Sequence, residues 1–215
     1  MQRSTAILPL QTGKTLGRPK VRSDAEQRDI IVRKALDLFL DVGFAAMKMD
    51  GISAECKISK RTLYRLFPSK LDLFKAMVEM HRESMLTFPE TLAMMPLEEA
   101  LAEIFRIDLG SVEDCRRAAF IDRTVAEAKA VPELGSILHH EGGEKAKVLL
   151  AAWFNERNRD GTLRIGNPYS AASILMDMVF GAIAFKPTEV AYWPGGVDRK
   201  TYLRECIRYF VNGVK

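Results

Sequence analysis

The residues best suited to chemistry lie in KISKRTLYRLFPSK, positions 57–70, where Lys57, Lys60, Arg61, Arg65 and Lys70 stand together without an acidic residue. They are threaded among Leu63, Tyr64, Leu66 and Phe67, side chains of the kind that build a core. Cationic groups packed this densely suit phosphate binding and hydrogen bonding to base edges. A charge run is more often only a solvated face, so the surrounding elements must decide. Bond-breaking chemistry has little to work with. The chain holds three His and three Cys, and no serine–histidine–acid, cysteine–histidine, phosphate-loop or zinc-hydrolase pattern is present. His139 and His140 are adjacent, and neighbours on a helix point about 100° apart, a poor start for a metal site. No enzyme activity, metal or cofactor is expected.

The elements that would carry the basic segment can be read from periodicity and punctuation. Ile31, Ala35, Leu38, Phe39 and Val42 recur at helical spacing between Asp24 and Val42, and Gly43 is placed to end that helix in a left-handed conformation. Two short helices follow, about 50–56 and 60–66, joined by Lys57, Ile58 and Ser59, with Ser59 capping the second. Pro68 stops it, and Ser69 with Asp72 has the spacing of a capping box for a fourth helix reaching Met85. Two short helices with a three-residue joint have the proportions of a helix-turn-helix. Leu63 and Phe67, four apart, would face the core. Lys60 and Arg61, in the first turn, would reach base edges, while Tyr64 and Lys70 would hold phosphates. On chemistry alone a core tyrosine and a merely solvated basic surface fit as well.

Charge is unevenly shared. Residues 1–80 carry 15 basic and 9 acidic side chains, and the other 135 residues carry 17 and 19. One part suits a polyanion and the other does not. Residues 1–23 read as a basic arm, 24–80 as a helix-turn-helix domain and 81–215 as a helical domain. Further helices are expected at 97–109, 113–131, 143–160, 170–185 and 200–212, with breaks at prolines and glycines that include Gly142 and Gly143. The fold class is therefore all-α. The most apolar stretch, 174–185, contains Asp177 and is about half the length of a membrane span. Three scattered cysteines suit a reducing cytoplasm.

The order of motifs resembles the tetracycline-repressor (TetR) family of bacterial regulators. It is carried by GRP at 17–19, LFLDVGF at 38–44, MDGIS at 49–53, ISKRTLYRLFPSK at 58–70 and DLF at 72–74. The resemblance implies that Ser59, Thr62, Tyr64 and Lys70 touch the DNA backbone and that Lys60 and Arg61 help choose the operator, with Lys48 and Arg65 alongside. Two positions depart from the pattern. Lys57 stands where the joint usually has glycine, a penalty of about 1 kcal/mol if its φ is positive. Lys48 stands where a capping Thr or Ser is common, a loss of about 1 kcal/mol.

Beyond residue 80 the resemblance is mainly architectural and points to an AefR-like C-terminal domain. It implies a homodimer built on the last two long helices, through Ala171, Ile174, Leu175, Met178, Ala182, Leu203, Ile207 and Phe210, although a core within one chain would use such residues too. It also implies a cavity for an unidentified small apolar or amphipathic effector, lined by Phe105, Phe120, Arg123, Trp153, Met176 and Phe180; plain core packing is the alternative. The resulting expectation is a cytoplasmic, nucleoid-associated repressor binding a palindromic or near-palindromic DNA duplex and released by its ligand. An activator, a helical adaptor without DNA readout and, last, an enzyme are the competing readings.

Overall fold

The computed structural model describes residues 22–184 and 193–214, and among these there is no strand. The arm expected at 1–23 falls outside the described residues up to position 21, as do the GRP motif, Phe185 and the side chain of Ala182. The fold is all-α, an N-terminal helix-turn-helix unit followed by a larger helical unit.

Helix α1 spans Asp24–Ala46 and opens on a capping box between Ser23 and Glu26. Its buried face is Ile31, Val32, Ala35 and Phe39, whereas Val42, expected inside, is exposed. Gly43 breaks the helix with φ 84° and ψ 172°. The φ is positive as expected, but the extended ψ lies outside the left-handed helical region, in territory reserved for glycine. Helices α2 (Met49–Glu55) and α3 (Lys60–Leu66) are joined through Cys56–Ser59, and α4 runs Lys70–Met85 from a Ser69 cap. Leu63, Phe67, Phe74, Met77 and Val78 are all fully buried, so the short reading helix is anchored by its inner edge.

Lys57 adopts φ 53°, the left-handed region that a side chain disfavours by roughly 1–2 kcal/mol. Lys57→Gly should raise the unfolding free energy by about 0.5–1 kcal/mol, glycine's greater unfolded-state entropy removing part of the gain. A urea melt checks this; an unchanged or lower midpoint would mean that the joint is not strained.

The second unit contains α5 (Leu97–Ile104), α6 (Ser111–Glu127), α7 (Pro132–Ile137), α8 (Lys145–Arg159), α9 (Pro168–Ala184) and α10 (Arg199–Val214). A π-helical turn, Leu138–Glu144, joins α7 to α8. The helix break expected at Gly142 and Gly143 is therefore absent. The chain coils through both glycines with α4 against the first of them, where a Cβ on Gly142 would reach Val78 Cγ1 at 3.3 Å. Lys75 Nζ meets Glu141 Oε1 at 2.7 Å, and Arg82 donates to the Glu141 carbonyl at 2.5 Å, so α4 grips this turn from two positions.

Two cores result. One is built by α5, α8, α9 and α10, with Phe154 stacked on Phe210 at 5.5 Å. The other belongs to the head but also takes Phe120 from α6 and Leu134 from α7. Ala171, Leu175, Leu203, Ile207 and Phe210, expected at a dimer interface, are buried in the first core. Their apolar stripe packs within one chain. Ile174 on α9 is 56% exposed and Met178 is half-buried, while Tyr209 on α10, not among the expected contacts, is 62% exposed.

Candidate functional site

The basic surface is assembled by a helix cap and two ion pairs. Ser59 caps α3 by accepting from Thr62 N–H at 3.0 Å, and the two hydroxyls lie 2.8 Å apart. That cap aims the first turn of α3 outward, so Lys60 and Arg61 are exposed, as is Arg65 one turn on. Arg61 has no carboxylate partner among the described residues. Lys60 Nζ meets Asp50 Oδ2 at 2.6 Å, and the Asp50 carboxylate raises the ammonium's pKa. Arg65 makes a two-pronged pair with Asp24 at 2.5 and 2.8 Å, which raises its pKa in turn. Both pairs are open to water and readily exchanged for other anions. Tyr64 is 46% exposed, so it flanks the reading turn and is not part of the core. Lys48 is exposed at the start of α2 and supplies no side-chain cap there.

Lys70 corrects an expectation. Its Nζ donates to the carbonyls of Phe44 at 2.6 Å and Met47 at 3.0 Å and sits 4.2 Å over the Phe44 ring. Desolvation lowers its pKa. The ammonium closes the frayed end of α1, where carbonyls lack helical partners, and does not stand free as a phosphate clamp.

The end of α1 is also held from the second unit. Arg123 Nη1 donates to the Leu40 carbonyl at 3.0 Å, Glu127 Oε2 accepts from Phe44 N–H at 2.7 Å, and the two side chains approach each other at 3.3 Å. Arg123 therefore belongs to this junction. Phe120 is likewise in the head core, 5.5 Å from Phe39 and 4.6 Å from His81. Phe105 and Trp153 pack in the other core.

A cavity of about 550 Å³ lies between α4, α6, the π-helical turn and α9. Of the six side chains expected to line it, Met176 and Phe180 do so. Its polar groups include His81 from α4, Arg117 and Asp114 from α6, and Arg199 from α10. His81 and Arg117 are buried, 7% and 5% exposed. Burial pushes the His81 imidazole down to about 3, the Arg117 charge adding to the shift. Burial also lowers Arg117 to about 10, with Arg106 and Arg199 contributing. Near pH 7 the cavity thus holds a neutral imidazole beside a guanidinium cation. Periodicity could have found both, since Arg117 shares a helix face with Phe120 and Thr124, and His81 shares one with Phe74, Met77 and Val78. Pocket-sized space of this volume suits a small organic molecule.

Comparison with known proteins matches these surfaces to regulators. Residues 31–77 match bacterial regulatory proteins of the tetR family, and residues 99–211 match the AefR-like transcriptional repressor C-terminal domain. A stretch of 62 residues is 34% identical to the HTH-type transcriptional activator FasR of Mycolicibacterium smegmatis, covering 29% of this chain and 28% of that protein's length. The chain thus spans little more than a quarter of that relative. The flavonoid-responsive regulator FrrA aligns with a TM-score of 0.60 at 27% identity, over 89% of this chain and 98% of that one. A TetR-family regulator from Mesorhizobium loti aligns with a TM-score of 0.68 at 20% identity, over 90% and 99% of the two chains, a likeness of fold.

Proposed function

Because the chain belongs to the TetR family of transcriptional regulators, with an AefR-like C-terminal domain, we propose that it is a homodimeric repressor. It reads a two-fold or near two-fold operator through α3 and leaves it when a small amphipathic ligand fills the cavity under α4. Residues 24–80 act as the reading head and 81–215 as the effector and dimerisation domain. The observation that carries the reading is the exposed first turn of α3, raised on fully buried Leu63 and Phe67. A helix held by its inner edge with cations outward fits the major groove. Arg61 and Lys60 read base edges, while Ser59, Thr62, Tyr64, Lys48 and Arg65 position the backbone. Lys70 contributes mainly by ordering the end of α1.

Two heads must fall about 34 Å apart on one side of B-DNA, which requires a dimer. The exposed faces of α9 and α10, at Ile174 and Tyr209, supply its contact, with Met178 alongside. The longer match, to a repressor C-terminal domain, supports repression. The FasR match favours activation as the second reading, but it covers a shorter stretch. The responsiveness in FrrA's name supports a ligand-relieved switch. Function in the bacterial cytoplasm, on the nucleoid, accords with this role.

Selection of duplexes from a random pool, followed by titration of selected and scrambled DNA, tests the reading. Arg61→Ala should reduce the preference for the selected duplex by roughly ten- to a hundredfold, the worth of about 1–3 kcal/mol for a base contact. Lys60→Ala should act in the same direction but less, since Asp50 competes for the ammonium. Equal weakening on both duplexes would remove the base-reading role, and a pool with no preferred duplex would favour the adaptor.

A further inference from the structure

We propose that the cavity under α4 is built for an organic carboxylate, a ligand with one negative charge and an apolar body, held by Arg117 and His81. The inference rests on the effector reading above and names the class of its ligand. Arg117 Nε and Nη2 have no hydrogen-bond partner, and neither has His81 Nε2, although both side chains are buried and line the cavity. A buried guanidinium without a counter-charge is costly to maintain unless something completes it. Carboxylates nearby do not serve: Asp114 is paired with Arg199 at 2.8 Å, and Glu113 is exposed.

The geometry of the donors selects the ligand. Nε and Nη2 form one edge of a planar fork, the arrangement that takes both oxygens of a carboxylate side by side. The neutral His81 imidazole adds a hydrogen bond without adding charge. Of the other arginines in the wall, Arg199 is paired with Asp114 and Arg82 donates to the Glu141 carbonyl, so Arg117 offers the open fork. Ile121, Leu138, Met176 and Phe180 surround the rest of the space, which suits a hydrocarbon or aromatic body. An uncharged apolar ligand would leave the fork unsatisfied. Since His81 lies on α4, a bound carboxylate would connect the ligand directly to the helix that carries the head.

The test compares matched acids and alcohols by calorimetry on the full chain: decanoate against decanol, and phenylbutyrate against phenylbutanol. Wild-type protein should bind at least one acid ten- to a hundredfold more tightly than its alcohol. Arg117→Met should abolish that preference and, without ligand, melt no lower than wild type, because it removes an uncompensated charge. Equal affinity for acid and alcohol, binding of neither pair, a preserved preference in Arg117→Met, or a clear fall in its melting temperature would each overturn the proposal. Displacement of the selected duplex, followed by fluorescence anisotropy in the same samples, separates the two readings. Acid bound through Arg117 with DNA still held would sink the effector reading and leave the anion site standing. Release by acid and alcohol alike, unchanged in Arg117→Met, would do the reverse.

Discussion

Phe120→Ala should lower the unfolding free energy by about 3–5 kcal/mol, a large loss for a single side chain. The ring is fully buried and reaches from α6 into the head, 5.5 Å from Phe39, 6.1 Å from Phe74 and 4.6 Å from His81. Truncation removes its burial and leaves a void among rigid aromatic neighbours that have no easy route to collapse. For a chain of this size each kcal/mol moves the melting temperature by roughly 2–4 °C, so a fall of about 6–20 °C is expected. Phe120→Leu, which keeps much of the volume, should lose well under half as much. A thermal melt followed by circular dichroism decides; an alanine variant within 1 kcal/mol of wild type would show that the cluster repacks.

Gly43→Ala should cost about 3 kcal/mol, from two separable causes. Its backbone, φ 84° and ψ 172°, is accessible almost only to glycine, and forcing a side chain there costs roughly 1–3 kcal/mol. An added Cβ would also stand 2.1 Å from Glu127 Oε1 and 2.7 Å from Arg123 Nη2. Both are ends of flexible side chains and can swing aside, but Glu127 would then release Phe44 N–H, to which it is bound at 2.7 Å. A buried donor left unpaired adds about 1–3 kcal/mol. Denaturant melts of Gly43→Ala, Glu127→Ala and the double variant test the account. The double variant should be less damaged than the sum of the singles, because the collision is then absent while the strain persists. Full additivity would mean that the two residues do not communicate.

What the sequence made legible follows from how local the deciding physics was. The reading helix could be placed at Lys60–Leu66 because Ser59, Pro68 and Ser69 set its limits by capping and steric rules within a few residues. Lys57's positive φ could be anticipated from a missing glycine. Where tertiary contacts decided, reading failed. Gly142 and Gly143 looked like punctuation, yet packing against α4 carried the helix through them. Leu203, Ile207 and Phe210 looked like partner contacts, but an apolar stripe does not state which neighbour covers it, and α10 turned it inward. Lys70 resembled a phosphate clamp until the carbonyls of Phe44 and Met47, more than twenty residues away, proved to be its partners. Arg117 and His81 share helix faces with buried residues, which periodicity can reveal, but that both line one cavity is decided by tertiary packing.

The core of the head is finished by side chains that arrive about fifty residues and more after α4 has begun. Phe120 and Leu134 occupy it as fully as Phe39 does. The first eighty residues are therefore no interchangeable cassette. A chimera that grafts another regulator's reading head onto this body inherits a socket shaped for Phe39, Phe74 and His81. Redesigned specificity is best introduced on the outward rim of α3, leaving the seam with α6 and α7 intact.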